Sequence, residues 1–386
     1  MQPVYMDHAA TTRLSEGALN AMLPYLREEF GNPSAIYSYG QTAKNALEKS
    51  RDRVARAIGA LRSEIFFTSG GTESDNWIIR SAARTKKGKH IITTPMEHNA
   101  VLRTVEQLGE EGYEITFLQP DREGHISPEQ LEAAIRPDTI LASVMLANNV
   151  VGTVLDIRPL AEAARRRHVL FHTDAVQAVG HIPLNVRSLG VDFLSLSAHK
   201  FCGPKGVGAV FCRLPNRLVP LLTGGGQEKE RRSGTENVPG IVGMAEALEE
   251  AAGSLPETVP YLTDLQERLI AGVTALPGVT LTGDPKNRLP GFCSFVIGGI
   301  GHSALLVNAL NERGYCVSSG SACSAASREA SHVLLALGYD EAAAAASLRI
   351  TLGRENTRAE VDGVIEAIGT SVDRLRRENR KPPFAR

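Results

Sequence analysis

Apolar residues follow two different spacings along the chain, and the two spacings alternate. Residues 41–58 place them at helical intervals, and residues 64–68 form a short apolar run typical of a β-strand. Further strand-like runs, most of them separated by segments with helical spacing, lie at 91–94, 139–144, 169–173, 191–196 and 206–211. This alternation is typical of an α/β fold, and continuous apolar runs predict a mainly parallel sheet that is covered on both faces.

The pattern changes after residue 240. Helices are predicted at 241–252 and 259–276, with a break at 254–256 where the sequence reads Ser-Leu-Pro. Strands at 292–297, 315–318 and 348–352, with helices at 303–313 and 358–377, predict a smaller α+β unit. We therefore expect a large domain over residues 12–255, and a small domain formed by residues 1–11 and 256–386.

Composition narrows the possible functions. The 386 residues contain 42 Lys and Arg against 43 Asp and Glu, with no basic block, which argues against nucleic acid as a direct ligand. No apolar run is long enough to cross a membrane and no leader is evident, so a cytoplasmic protein is expected. The five cysteines are scattered without a C-x-x-C pair, so they predict neither a disulfide framework nor a zinc site.

Two charged residues follow neighbouring predicted strands. Lys200 follows Ser197 and His199 and lies in a Gly- and Pro-rich turn that leads to the next strand. This position suits an amine that forms a Schiff base with an aldehyde cofactor. An ordinary surface lysine is the alternative. Asp174 directly follows a buried type of strand and needs a cationic partner, such as a protonated pyridine nitrogen, unless it simply caps a helix.

Other polar residues are expected at the same edge of the sheet. Residues 68–76 read as a strand, a glycine turn at Gly71 and a helix start, with Thr72 and Asp75 as a capping pair; this is either an anion site or a plain turn. Neither a dinucleotide nor a Walker motif is present there. His98 and Asn149 follow two further strands. His98 is either structural or a catalytic ring that stacks on a planar cofactor and shuttles a proton.

Two candidates come from the second half of the chain. Cys323 lies in a loop of small residues, where a thiol is better explained as a nucleophile that moves than as packing. By contrast, Cys212, Cys293 and Cys316 lie in apolar runs and are interpreted as structural. Arg349 is embedded in an apolar strand, where a structural salt bridge is the alternative to ligand binding.

Together these segments resemble the cysteine desulfurases of the NifS/IscS type, a branch of the class V aminotransferase superfamily of fold type I. The resemblance runs from Asp7 to the last helix. It rests on Ser197-x-His199-Lys200, Asp174-x-x-Gln177, Arg232-Ser233-Gly234-Thr235 and Ser318-Ser319-Gly320-Ser321-Ala322-Cys323, in family order.

The resemblance implies an α/β fold of the pyridoxal-phosphate transferase type, with a seven-stranded sheet, and the cofactor pyridoxal 5'-phosphate. It makes Lys200 the Schiff-base residue and the base at Cα, and Cys323 the thiolate that takes sulfur from L-cysteine, forms a persulfide and releases L-alanine. The implied cofactor-binding residues are Gly71, Thr72, His98, Asn149, Asp174, Gln177, Ser197, His199, Lys200 and Thr235. Asn149 and Arg349 are the implied ligands of the substrate carboxylate.

The same resemblance implies a homodimer in which Thr235 reaches the partner's cofactor, and sulfur acceptors that are iron–sulfur scaffold or tRNA-thiolation proteins. It implies no resident metal, with Cys323 as a transient ligand of an iron–sulfur cluster. The chain departs from the family pattern at Tyr37, where many relatives carry histidine, and at Val150, where glutamate is familiar. A class V aminotransferase, a selenocysteine lyase and a non-catalytic sulfur-carrying subunit are the alternative functions.

Overall fold

The computed structural model describes residues 3–319 and 330–379. Its strands are β1 (Val4–Tyr5), β2 (Ile65–Thr68), β3 (His90–Thr93), β4 (Glu114–Phe117), β5 (Thr139–Ser143), β6 (Leu170–Asp174), β7 (Phe193–Ser197), β8 (Gly208–Cys212), β9 (Val279–Leu281), β10 (Phe292–Ile297), β11 (Tyr315–Cys316) and β12 (Ser347–Thr351). Its α-helices are α1 (Glu16–Arg27), α2 (Ser38–Ile58), α3 (Gly71–Thr85), α4 (Asn99–Glu110), α5 (Pro128–Ala134), α6 (Ile157–Arg166), α7 (Val186–Leu189), α8 (Gln227–Glu230), α9 (Val238–Thr274), α10 (Ser303–Asn311), α11 (His332–Ala336), α12 (Glu341–Ala345) and α13 (Arg358–Asn379).

The large sheet has seven strands in the order β2-β8-β7-β6-β5-β3-β4. Strand β8 runs antiparallel to both of its neighbours, and all other pairs are parallel. The predicted α/β fold with a mainly parallel seven-stranded sheet is confirmed. Because β3, β5, β6 and β7 are parallel and adjacent, the residues that follow them meet at one edge, where α/β folds collect ligands.

A second, smaller sheet is antiparallel, in the order β12-β10-β9. It packs with α10, α13 and the end of α9 around an apolar core that includes Leu265, Phe295 and Ile350. Strand β1 pairs with β11, so the start of the chain lies beside this smaller unit. The exact domain bounds stay predictions.

The break predicted at residues 254–256 is wrong, because α9 is one helix that contains Pro256 and Pro260. Each proline removes a helical hydrogen bond and costs about 3 kcal/mol. Both prolines are exposed, so water can solvate the carbonyl groups that lose their partners. Met244 packs in the large core and Leu269 in the small one, and this burial at both ends offsets the cost.

Within the part of the chain that the structure describes, no helix combines the length and apolar character that crossing a membrane requires.

Candidate active site

A cavity of about 400 Å³ opens at the edge where β3, β5, β6 and β7 end. It brings together every predicted site residue except Thr235 and Cys323: Gly71, Thr72, His98, Asn149, Asp174, Gln177, Ser197, His199, Lys200 and Arg349. These residues come from separate segments between positions 71 and 349. Only the fold places them side by side.

The Lys200 amine lies in the 3₁₀ turn Ala198–Lys200 that directly follows β7. Its Nζ donates hydrogen bonds to the carbonyl oxygens of Ala9 at 2.6 Å and Ala10 at 2.8 Å. The Lys200 carbonyl oxygen in turn lies 2.8 Å from the Nε2 atom of His181, which donates to it. The amine is thus held at the cavity rather than on the outer surface, which contradicts the surface-lysine alternative.

Asp174 is the last residue of β6 and is 5% exposed. Its Oδ1 accepts a hydrogen bond from the Val176 N–H at 2.9 Å. Burial raises the pKa of its carboxyl group, while the neighbouring His98 and Lys200 oppose that rise. No α-helix follows Asp174 directly, and the next one, α7, is capped by Asn185, so the helix-cap alternative is wrong. A buried carboxylate at this position suits a cationic ligand atom.

The predicted capping pair at the start of α3 is also wrong. The helix begins at Gly71, Gly70 is the cap residue, and Glu73 rather than Asp75 reaches back to accept from the Ser69 N–H at 2.9 Å. Asp75 is instead fully buried beneath the cavity, 3.5 Å from the Nε2 atom of His172. Burial, reinforced by the nearby Asp174, raises the pKa of Asp75 well above its usual value.

The end of the cavity that lies at the start of α3 has features suited to binding an anion. Gly71 and Thr72 form the first turn of the 15-residue helix α3, whose free N–H groups attract negative charge. A Cβ on Gly71 would come within 2.8 Å of Val176, so only glycine allows this close approach. Ser197 and His199 line the same space, and the exposed Lys205 lines an adjoining cavity with them.

The His199 ring faces this anion end. Its Nδ1 atom lies 3.2 Å from the Thr11 hydroxyl. Burial and the nearby Lys200 lower the pKa of His199 to about 4, so the ring is neutral at pH 7 and binds through a hydrogen bond rather than through charge.

His98 occupies the cap position of α4. Its Nδ1 accepts a hydrogen bond from the Ala100 N–H at 3.1 Å. Burial lowers the pKa of the imidazole, so the ring is neutral at pH 7. Because Nδ1 is the acceptor, the proton of the neutral ring is on Nε2.

Arg349 and Asn149 lie together in the cavity wall. The Arg349 guanidinium donates to the Asn149 carbonyl oxygen at 2.7 Å and to Asp7 Oδ1 at 2.8 Å, so the predicted structural salt bridge is present. Arg349 Nε and Asn149 Oδ1 are buried and have no hydrogen-bond partner among the described residues. Such atoms cost free energy unless a ligand pairs with them, so the salt bridge does not exclude the ligand-binding role of Arg349, which stays a prediction.

Gln177 is buried in the cavity wall, where its Nε2 donates to the Ala9 carbonyl oxygen at 3.0 Å.

Two predicted site residues are not among the described residues of this cavity. Thr235 is exposed beside a second cavity that Ser69, Glu228 and Arg232 also line. Cys323 lies outside the described residues.

Three other cysteines agree with a structural reading. Burial raises the pKa of the Cys212 and Cys293 thiols to about 12, so neither forms a thiolate at pH 7. Cys316 is half-buried in β11.

Sequence reasoning missed several residues of the cavity. The Ala9 and Ala10 backbone, which holds the Lys200 amine, lies in the segment where the family resemblance begins, and that was its only signal. His332 and Ser331 also line the cavity. They follow Cys323 closely in sequence, but no motif distinguished them.

Comparison with known proteins agrees with this site. Residues 4–364 match the family described as aminotransferase class-V. The chain belongs to that family. It is 48% identical to the cysteine desulfurase IscS of Methanosarcina thermophila over 97% of this chain and 93% of that protein. It is 45% identical to the cysteine desulfurase IscS of Clostridium botulinum strain Hall, over 97% of this chain and 95% of the relative.

Comparison with solved structures gives the same result. A NifS-like protein superposes with a TM-score of 0.90 at 38% identity, covering 96% of this chain and 100% of the other. A structure described as SspA in complex with cysteine superposes with a TM-score of 0.80 at 36% identity, covering 90% and 98%. The predicted family, activity class and pyridoxal-phosphate dependence are confirmed: the chain is a cysteine desulfurase.

The cavity fits pyridoxal 5'-phosphate. Its anion end matches the phosphate, the Lys200 amine matches the aldehyde, and the buried Asp174 matches a protonated ring nitrogen. The unpartnered Asn149 Oδ1 and Arg349 Nε show that the cavity also holds polar atoms suited to a further ligand group.

Proposed function

We propose that this desulfurase takes the sulfur of L-cysteine onto Cys323 as a persulfide and releases L-alanine. The observation that carries the proposal is that Lys200, Asp174 and His98 line one cavity together with Asn149 and Arg349. This combination supports the proposal, because a nucleophilic amine, a buried carboxylate and an aromatic ring share one cavity with a guanidinium and an amide that would bind an amino-acid carboxylate.

Each residue has a defined task. The phosphate would be held by Gly71, Thr72, Ser197 and His199. Asp174 would pair with the ring nitrogen, Gln177 would bond the ring hydroxyl, and His98 would stack on the ring. When bound, the cofactor supplies an aldehyde that links to amines and a ring that withdraws electrons from bonds at the substrate Cα. Arg349 and Asn149 orient the substrate carboxylate, and Lys200 carries the Cα proton.

The sulfur step needs a nucleophile other than Lys200. The Cys323 thiolate forms an S–S bond with the substrate sulfur while the C–S bond breaks and its electron pair goes to carbon, which then takes up a proton to become the methyl group of alanine. Because burial raises the pKa of Cys212 and Cys293 to about 12, neither thiol can replace Cys323 in this step.

The sulfur then passes to an acceptor protein. The Cys323 loop is rich in serine and alanine, which supports direct transfer to an iron–sulfur scaffold or a thiolation protein. Relatives of this chain carry the name IscS, and Cys323 would also serve as a transient ligand of an iron–sulfur cluster during assembly.

Incubation of the purified holoenzyme with L-cysteine and a thiol reductant tests the proposed reaction. We expect sulfide and L-alanine in equal amounts, measured by methylene-blue absorbance and amino-acid analysis. A keto acid in place of alanine would indicate an aminotransferase. A strong preference for selenocysteine over cysteine would indicate a selenocysteine lyase. Absence of turnover would favour a sulfur-carrying subunit and would contradict the proposal.

The homodimer is proposed on two features. Thr235 is exposed and lies outside the Lys200 cavity of its own subunit, as expected of a ligand that serves a partner. In addition, Phe30, Ile36 and Tyr37 between α1 and α2 are 74%, 92% and 62% exposed, an apolar surface that a single chain leaves in water.

Light scattering tests the dimer. We expect a mass of twice 41.5 kDa for the wild type. The variant Ile36→Lys should dissociate into monomers, because in a two-fold contact the apolar side chain is lost from both subunits, which costs about 3 to 6 kcal/mol of binding free energy in total. Leu305→Lys, at a 48% exposed leucine on α10, is the matched control and should stay dimeric. A monomeric wild type that retains full cofactor affinity would refute the proposal.

A further inference from the structure

His332 is an imidazole of the active-site cavity that the proposed reaction has not used. It is the first residue of α11, whose Val333 and Leu334 are fully buried in the large core, so its backbone is well anchored. Its side chain is itself exposed and lines the cavity together with Ser331, Asn149 and Arg349. It therefore faces the cavity in which the proposed reaction takes place.

One hydrogen bond defines the protonation of this ring. The Nε2 atom of His332 lies 3.1 Å from the carbonyl oxygen of Glu97. A carbonyl oxygen can only accept, so Nε2 must carry a proton and donate it. In the neutral ring the other nitrogen, Nδ1, then has a free lone pair and is the basic atom.

His98 has the opposite arrangement. Its Nδ1 accepts from the Ala100 N–H, so its Nε2 carries the proton and the neutral ring can only donate from that atom. The cavity thus holds one imidazole fixed as a donor and another fixed as an acceptor. The third imidazole, His199, lies at the anion end and is held beside Thr11.

The cavity offers few other bases. Met145, Ala147 and Val150 are apolar lining residues, and Val150 is the buried residue that departs from the family pattern noted above. Arg349 can only donate, Lys200 is assigned to the Cα proton, and Asp174 is assigned to the ring nitrogen of the cofactor. Among the described cavity residues, His332 offers in Nδ1 an acceptor that can also take up a proton, which the unpartnered amide oxygen of Asn149 cannot do.

We propose that His332 accepts the hydrogen bond of the substrate thiol and takes its proton during sulfur transfer. The inference rests on the proposed function. As the C–S bond breaks, the S–H bond also breaks and leaves its electron pair on sulfur, while a new N–H bond forms on Nδ1. The resulting imidazolium returns the proton to water, so His332 both recognises the thiol and removes its proton.

Binding measurements separate recognition from turnover. In a Cys323→Ala background, where sulfur cannot leave, L-cysteine and L-alanine are titrated against the absorbance of the bound cofactor. His332→Phe fills the same space without an acceptor, so it should weaken L-cysteine binding about 10-fold and leave L-alanine binding unchanged. An equal effect on both ligands, or none on either, would overturn the proposal.

His332→Gln separates the two roles of the ring. Its amide can donate to Glu97 and still accept from a thiol, but it cannot take up a proton. With Cys323 present, we expect a KM for L-cysteine within about 3-fold of wild type and a kcat about 100-fold lower. A Gln variant with full kcat would refute proton removal by His332.

Two controls keep the outcomes distinct. Cofactor content and melting temperature show whether each His332 variant is folded and loaded. If the wild type itself releases no sulfide from L-cysteine, the proposed function fails. If the wild type is active and His332→Phe discriminates cysteine from alanine as the wild type does, only the role of His332 fails.

Discussion

Lys200→Ala is expected to abolish sulfide release, with a loss on the order of 10³-fold or more, and to remove the absorbance of the Schiff base. The reason is that Lys200 has two tasks, covalent attachment of the cofactor and transfer of the Cα proton, and alanine can perform neither. Absorption spectra and sulfide assays on the same preparation measure both effects.

The Lys200 experiment has a matched control in Lys286→Ala, which removes an exposed lysine that is not among the cavity residues. This variant should keep the wild-type spectrum and activity. Inorganic phosphate and the cofactor, each added separately, should still bind to Lys200→Ala without a covalent bond, because Gly71, Thr72, Ser197 and His199 remain. An unchanged Schiff-base absorbance in Lys200→Ala would show that another amine holds the cofactor.

Cys323→Ala is expected to keep the cofactor and its yellow colour while sulfide release falls on the order of 10³-fold. The nucleophile and the Schiff-base amine are different residues, so one function can be lost without the other. Sulfide assays, together with mass spectrometry for a persulfide on the intact protein, measure the effect.

Cys202→Ala is the control for this second variant, since Cys202 is a half-buried thiol in the same protein. It should retain activity and the persulfide. If Cys323→Ala retained full activity, or if the persulfide formed on Cys202, the assignment of the nucleophile would be wrong.

Much of the large sheet could be predicted because its strands are nearly continuous apolar runs. The same regularity made the site predictable: when parallel strands are adjacent, residues such as His98, Asp174 and Lys200 that follow them must converge at one edge. Strand β4 was missed because it lies at the sheet edge and is only partly buried, so Glu114 and Thr116 interrupt the apolar pattern.

Residues whose roles depend on distant contacts could not be predicted. Asp75 looks like a capping residue in sequence, but the carboxylate faces inward beside His172 because the helix packs on the sheet. The Ala9 and Ala10 carbonyl groups meet Lys200 only in the folded chain, where β1 pairs with β11 across 311 residues and Thr12 bonds the His199 carbonyl oxygen. His332 required the contact with Glu97 to show which of its nitrogens is basic.

The uninterrupted helix α9 has a practical consequence for anyone who wishes to produce the two halves of the protein separately. A cut after residue 255 would fall inside the helix, leaving a frayed end on each fragment. Met244 and Leu248 lie on one side of the cut, and Leu265 and Leu269 on the other. Each helical segment would lose the turns that now extend it, and a shorter helix is less stable. Fragment boundaries for expression should therefore lie outside residues 238–274.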